Sequence, residues 1–220
     1  MNHVYLSYAE HLKQTYNRRV YRIGVDGQFS CPNRNADGSG GCAFCEHSGS
    51  IAAYQNPQDV SVKLPCRLIE QRIAHVLEQI ESGKRFLVRR YKAEAFALYF
   101  QSYTNTFDTL VHLKALYDAA LSSGEFVELI ISTRPDCLSD EVVALLKTYT
   151  DTVEKVWVEL GLQSANQAAL DLVDRNHDVF SYIQGVNSLH LQGVGVCTHI
   201  MLGLPLDGFS SYRQTAKVIN

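Results

Sequence analysis

Apolar residues follow two rhythms along this chain. Leu68, Ile69, Ile73, Val76, Leu77 and Ile80 recur every three or four positions, which predicts a helix closed by Gly83 as its C-cap. Tyr5, Tyr8, Leu12 and Tyr16 keep the same beat and predict an N-terminal helix over Tyr8–Tyr16. Elsewhere the apolar runs are nearly continuous, as in Val127-Glu128-Leu129-Ile130-Ile131 and Val156-Trp157-Val158, the pattern of strands covered on both faces. Strands are expected within Arg18–Phe29, Ala95–Phe100, Phe126–Ser132, Val156–Leu162 and Val194–Leu202. Helices are expected between them at Phe107–Leu121, Ser139–Tyr149 and Ser181–Leu191, with Asp178 as an N-cap.

That alternation implies parallel β/α units in an α/β fold, either a barrel or an open sheet. Polar residues gather just beyond the strand ends, at Gln101–Thr106, Ser132–Asp136 and Gln163-Ser164. In β/α barrels this rim is where active sites are built. A last helix starts near Tyr212 with neither cap nor following strand, so we expect a single domain over 1–220 that stops short of a final β/α unit.

Composition narrows the class of protein. With 220 residues, 46% hydrophobic and 20% charged, the chain can bury a sizeable core. No apolar run approaches the roughly 20 residues that cross a bilayer, and Met1–Ala9 lacks the features of a signal peptide, so no membrane association and a cytoplasmic location are expected. Six cysteines in such a chain point to metal binding or burial rather than to disulfides. A net charge of −3 excludes a global attraction for nucleic acid and leaves two local basic runs: Arg18, Arg19 and Arg22, and Lys84, Arg85, Arg89, Arg90 and Lys92 with Phe86 and Tyr91 interleaved. The second run also fits a solvated loop.

Candidate chemistry concentrates in Cys31–Cys45, a glycine-rich loop directly after the first expected strand. Three thiolates suit iron or zinc, and Gly38, Gly40 and Gly41 let backbone wrap round a metal. Cys31, Cys42 and Cys45 alone would leave one iron of a four-iron cluster with open positions. The residues read first as an iron-sulfur site; the alternative is a structural zinc site with His47 as fourth ligand, which would make the chain a non-catalytic, nucleic-acid-binding zinc module. Cys66, Cys137 and Cys197 read as buried thiols, Trp157 as core, and Arg134 with Glu159 as a candidate ion pair.

The loop resembles that of the radical S-adenosylmethionine (SAM) superfamily. Its spacing of ten residues and then two is similar to the YhcC/YtqA group and, more distantly, to the Elongator catalytic subunit. Tyr99–Thr106, Ser132–Asp136, Glu159–Ser164 and His199–Pro205 agree with that group in order and register. The chain departs from it at Arg175-Asn176-His177-Asp178, where the group carries Arg-Gly-His-Asp, and at Leu206-Asp207, where the group carries an acidic residue soon after Gly-Leu-Pro-Gly.

The resemblance implies a partial, TIM-like (β/α)6-type barrel with a four-iron four-sulfur (4Fe-4S) cluster on Cys31, Cys42 and Cys45 and SAM on the fourth iron. Reductive cleavage of SAM would give a 5′-deoxyadenosyl radical that abstracts hydrogen from a substrate, with tRNA as a candidate and a flavodoxin or ferredoxin as electron donor. By the same resemblance Phe44 would lie beside the adenine, and Gln101 and Tyr103 at the methionyl end. Ser132, Thr133 and Arg134 would meet the SAM carboxylate or ribose, Glu159 and Gln163 the ribose, and His199 the adenosine side. An inactive fragment is the third reading.

Overall fold

A computed structural model describes residues 5–35, 37–45, 52–55 and 68–220. His3, His47 and Cys66 lie outside the described residues. Five strands, β1 (Val20–Val25), β2 (Ala95–Phe100), β3 (Glu128–Thr133), β4 (Lys155–Gln163) and β5 (Gly195–Ile200), form a parallel sheet in chain order. Around them run α1 (Tyr8–Tyr16), α2 (Ile69–Tyr91), α3 (Leu110–Ser122), α4 (Asp140–Thr148), α5 (Gln167–Leu172), α6 (Val179–Leu191) and α7 (Phe209–Ile219). Among the described residues β1 and β5 do not pair, so the sheet stays open.

Strand alternation divides the core in two. Ile23, Leu98, Leu129, Val158 and Leu160 face the helices, packing with Val76, Ile80, Leu116 and Leu146. Val20, Ala95, Ala97, Tyr99 and Ile130 face the other way and are covered by Leu12 of α1. Beneath that second face, the buried Glu128 carboxylate accepts hydrogen bonds from Tyr8 Oη (2.5 Å), Tyr16 Oη (2.9 Å) and Trp157 Nε1 (3.3 Å). Such a carboxylate is tolerable inside the protein because its oxygens are satisfied. This bond set fastens α1 to one end of the sheet and leaves the opposite rim open.

Local signals account for most boundaries. Ser7, Thr109, Ser139 and Asp178 cap α1, α3, α4 and α6 by accepting a backbone N–H in the first turn. The expected end at Gly83 is wrong: α2 runs on to Tyr91 and closes at Lys92, whose φ of 56° is left-handed. Gly83 is buried in mid-helix because a Cβ there would lie 2.9 Å from Ile23 Cγ2 and 3.0 Å from the Tyr54 ring. The basic run Lys84–Lys92 is therefore helix and cap rather than loop. No described helix is long and apolar enough to cross a membrane.

Gly83→Ala tests that close approach. Helix propensity alone would favour Ala by about 1 kcal/mol, but displacing β1 or the Tyr54 ring costs about 1–3 kcal/mol. A net loss of stability in urea denaturation is expected, whereas a net gain would show that the contact yields freely.

Candidate functional site

At the C-terminal ends of the strands lies a cleft of about 390 Å³, lined in part by Cys31, Cys42 and Cys45. The cysteine loop folds back on itself: Arg34 and Gly40 form an antiparallel bridge, and Gly41 N donates to Asn33 O at 2.7 Å. Gly40 and Gly41 take φ of 77° and 101°, a conformation in which a side chain would be strained. The loop is then fixed to the segment after α5. Ala43 N donates to Val173 O (3.0 Å), and Asn33 Nδ2 donates to Asp174 O (2.8 Å) and Arg175 O (3.1 Å) and faces Cys42 Sγ at 3.4 Å.

Arg175 completes this junction from the buried side. Its Nη2 donates to Gly161 O at 2.8 Å and its Nη1 reaches Cys42 Sγ at 3.5 Å, while Nε is buried with no partner among the described residues. Among the described residues no carboxylate lies within ion-pair distance of it. A hydrogen bond from Cys45 and the neighbouring Arg175 and Asn33 outweigh burial and push the Cys42 thiol down to about 5. The same bond and burial push the Cys45 thiol up. A thiolate supported by cationic and amide donors is a prepared metal ligand.

Seven of the nine residues implied as SAM contacts line the cleft: Phe44, Tyr103, Ser132, Thr133, Arg134, Gln163 and His199. Two of them, Tyr103 and Gln163, have left-handed backbones (φ 64° and 70°). Gln163 owes its position to a register shift at the end of β4, where Gly161 pairs with His199 but Gln163 pairs with Ile200. An extra residue of this kind re-aims a side chain, and strained polar residues collect at functional sites. Phe44 packs on the small apolar cluster of Ala169, Val173 and Leu204.

Gln101 and Glu159 stand outside that lining. Gln101 turns over Gly24, where an added Cβ would meet its Oε1 at 2.9 Å. Glu159 lies below the cleft, 1% exposed, with Arg22 Nη1 at 2.7 Å from Oε1 and Tyr99 Oη and His199 Nε2 at 2.5 and 3.0 Å from Oε2. The expected pair of Arg134 with Glu159 does not form; Arg134 instead holds Asp136 through two bonds of 2.9 Å. Hydrogen bonds with Cys197 and then Glu159 raise His199 to about 9. Cys197, expected to be buried, is exposed on β5.

Sequence reasoning placed Thr104 on the rim but missed Arg34, Gly161 and Arg175 as cleft residues. The first basic run is also absorbed structurally, since Arg18, Arg19 and Arg22 face Glu154, Glu94 and Glu159. The second run lies on the last turns of α2, which lead into the start of β2 and so away from the cleft.

An α/β sheet with three cysteines at its C-terminal rim defines a class, and here the class is established independently: the chain belongs to the radical SAM superfamily, whose family model matches residues 31–219. It is 35% identical to protein YhcC of Escherichia coli (strain K12) over 94% of this chain and 61% of YhcC. Identity to YtqA of Bacillus subtilis (strain 168) is 33% over 95% of this chain and 60% of YtqA. The chain thus spans about three fifths of these relatives. A shorter match, 34% identical over 94 residues (42% of this chain and 17% of the relative), is to a tRNA uridine(34) acetyltransferase of Methanocaldococcus infernus. The fold matches coproporphyrinogen III oxidase (HemN) of Escherichia coli, a radical SAM enzyme, at a TM-score of 0.57 and 16% identity, over 97% of this chain and 44% of HemN. The fold is therefore the partial TIM-like barrel of that class.

Glu159 gives the site a measurable pH signature. Burial raises its pKa, but hydrogen bonds from His199 and Tyr99 and the charge of Arg22 hold the carboxyl below its ordinary value. A depressed carboxyl stabilises the fold above the unfolded pKa of about 4.3, and that contribution is lost as pH falls below it. Glu159→Gln should cost about 2 kcal/mol at neutral pH, less than a fully buried broken pair because Arg22 is partly exposed. It should also flatten the acid limb of a urea-denaturation pH series; an unchanged limb would contradict the assignment.

Proposed function

We propose that residues 1–220 form one core domain of a radical SAM enzyme that holds a 4Fe-4S cluster on Cys31, Cys42 and Cys45 and SAM in the adjoining cleft. The observation that carries this reading is the convergence of the three cysteines on a single cleft whose other wall is polar and cationic. Its donor set fits the cluster: soft sulfur ligands, one already held as thiolate, with Asn33 and Arg175 aimed at its sulfur. When bound, the cluster supplies the electron that cleaves SAM reductively to a 5′-deoxyadenosyl radical able to abstract hydrogen from a substrate.

The chain's own residues bind and orient. Among the described residues Arg175 Nε and Arg134 Nη1 are buried donors without partners, and they suit the carboxylate of SAM. Ser132, Thr133 and Gln163 offer hydroxyl and amide groups to the ribose, and Tyr103 borders the methionyl end. Phe44, backed by Val173 and Leu204, walls the adenine, with His199 opposite. Gln101 and Glu159 act one layer deeper, Glu159 by holding His199. A flavodoxin or ferredoxin supplies the electron, and a reducing cytoplasm keeps the thiols available.

The test is anaerobic reconstitution followed by reduction with SAM present. The wild-type chain should release 5′-deoxyadenosine, and Cys42→Ala should release none while keeping the native circular dichroism. Equal product from both would overturn the reading.

A tRNA substrate is supported by the acetyltransferase match and by the exposed cations Arg85, Arg89, Arg90 and Lys92, which among the described residues have no carboxylate within ion-pair distance. Because these cations lie away from the cleft, they would grip RNA backbone and not the reacting base. Replacing Arg89 and Arg90 by Ala should weaken binding of bulk tRNA and lower its salt slope by about one unit per cation. 5′-Deoxyadenosine formation should stay unchanged. Salt-insensitive binding, or none in the wild type, would remove tRNA from consideration.

A further inference from the structure

We infer that Glu159, Cys197 and His199 form a second metal site, for a divalent transition-metal ion of the zinc class, beneath the cysteine cleft. Parallel pairing brings the three together: Glu159 stands opposite Cys197 and Gly161 opposite His199, so the two β5 side chains, two residues apart, share the face on which Glu159 lies. The carboxylate oxygen, thiol sulfur and imidazole nitrogen all lie within 4.8 Å of one another. Glu159 Oε2 and His199 Nε2 already converge at 3.0 Å.

The donor set selects the ion. Sulfur with imidazole and one carboxylate suits zinc or its neighbours and disfavours magnesium and calcium, which take oxygen ligands. Arg22 and Tyr99 hold Glu159 in place, the outer support that ligating carboxylates require. Binding expels the thiol proton, and thiolate and carboxylate then offset the dication while Arg22 leaves one positive charge over. Three protein ligands leave a fourth position open, the arrangement of catalytic rather than structural zinc. His199 also lines the cleft, so the open position lies where an oxygen or sulfur atom of a substrate bound there can reach it.

Cobalt(II) is the probe, because a thiolate ligand gives it an intense near-ultraviolet charge-transfer absorption. In a chain with Cys31, Cys42 and Cys45 all replaced by Ala, cobalt should bind in a one-to-one ratio with that absorption. Adding Cys197→Ser should abolish the absorption, and adding His199→Ala should weaken binding on the order of 10–100-fold. Absence of the absorption, or its survival in Cys197→Ser, overturns the site. Should the three-alanine chain not fold, zinc and iron are measured together in the reconstituted protein. Cys197→Ser should then lose about one zinc per chain and keep its iron, and equal zinc in both overturns the proposal. Iron reports the loop cysteines and zinc reports this cluster, so each reading fails separately.

Discussion

The arrangement depends on the clamp between the cysteine loop and the turn after α5. Asn33 reaches two carbonyls across that junction, Ala43 a third, and Arg175 returns from it to Gly161 and Cys42. A glycine-rich loop has large conformational freedom to lose, and without these bonds three thiols would have no reason to share one cleft. The clamp also joins distant parts of the chain, β1's loop and the end of β4, so the site depends on the register of the parallel sheet. A buried guanidinium with no carboxylate partner would be costly in an ordinary core. Here its Nη1 faces the Cys42 sulfur at 3.5 Å, a contact that favours the thiolate form of that side chain.

The sheet works as a stack of layers along its second face. At one end Glu128, Trp157 and the tyrosines of α1 close the base. Arg22, Tyr99, Glu159, Cys197 and His199 occupy the middle, a polar layer where an inert barrel would place aliphatic side chains. The cysteines and rim residues form the top. That order links the open cleft to a charged interior through His199, which touches both.

Sequence alone revealed the strands well, because buried parallel strands such as Val156–Leu162 leave little room for polar residues and so announce themselves. Gly83 misled because glycine serves two purposes, ending helices and allowing close approach, and only the position of Ile23 decides between them. The six-residue α5 was too short to show a period. Arg175 escaped as a cleft residue although its Arg-Asn-His-Asp run had been singled out, since its partner Cys42 lies far away in sequence. The departures in that run and after Pro205 are intelligible in the backbone. Asn176, where the resemblance puts glycine, and Leu206 both adopt left-handed φ, 53° and 66°; asparagine tolerates this easily and leucine under strain. Cys197 was misread because nothing local distinguishes a thiol facing helices from one facing the open side.

YhcC and YtqA match almost the whole chain, and the HemN fold covers 97% of it, so what is shared with HemN is the β/α frame. The central claim is that three sulfurs hold a cluster at this rim and leave one iron to an outside ligand. Electron paramagnetic resonance of the reduced, reconstituted chain, recorded before and after SAM is added, tests it most directly. A four-iron signal whose spectrum changes with SAM is the expected result. A chain that assembles no cluster, or a signal indifferent to SAM, would contradict it.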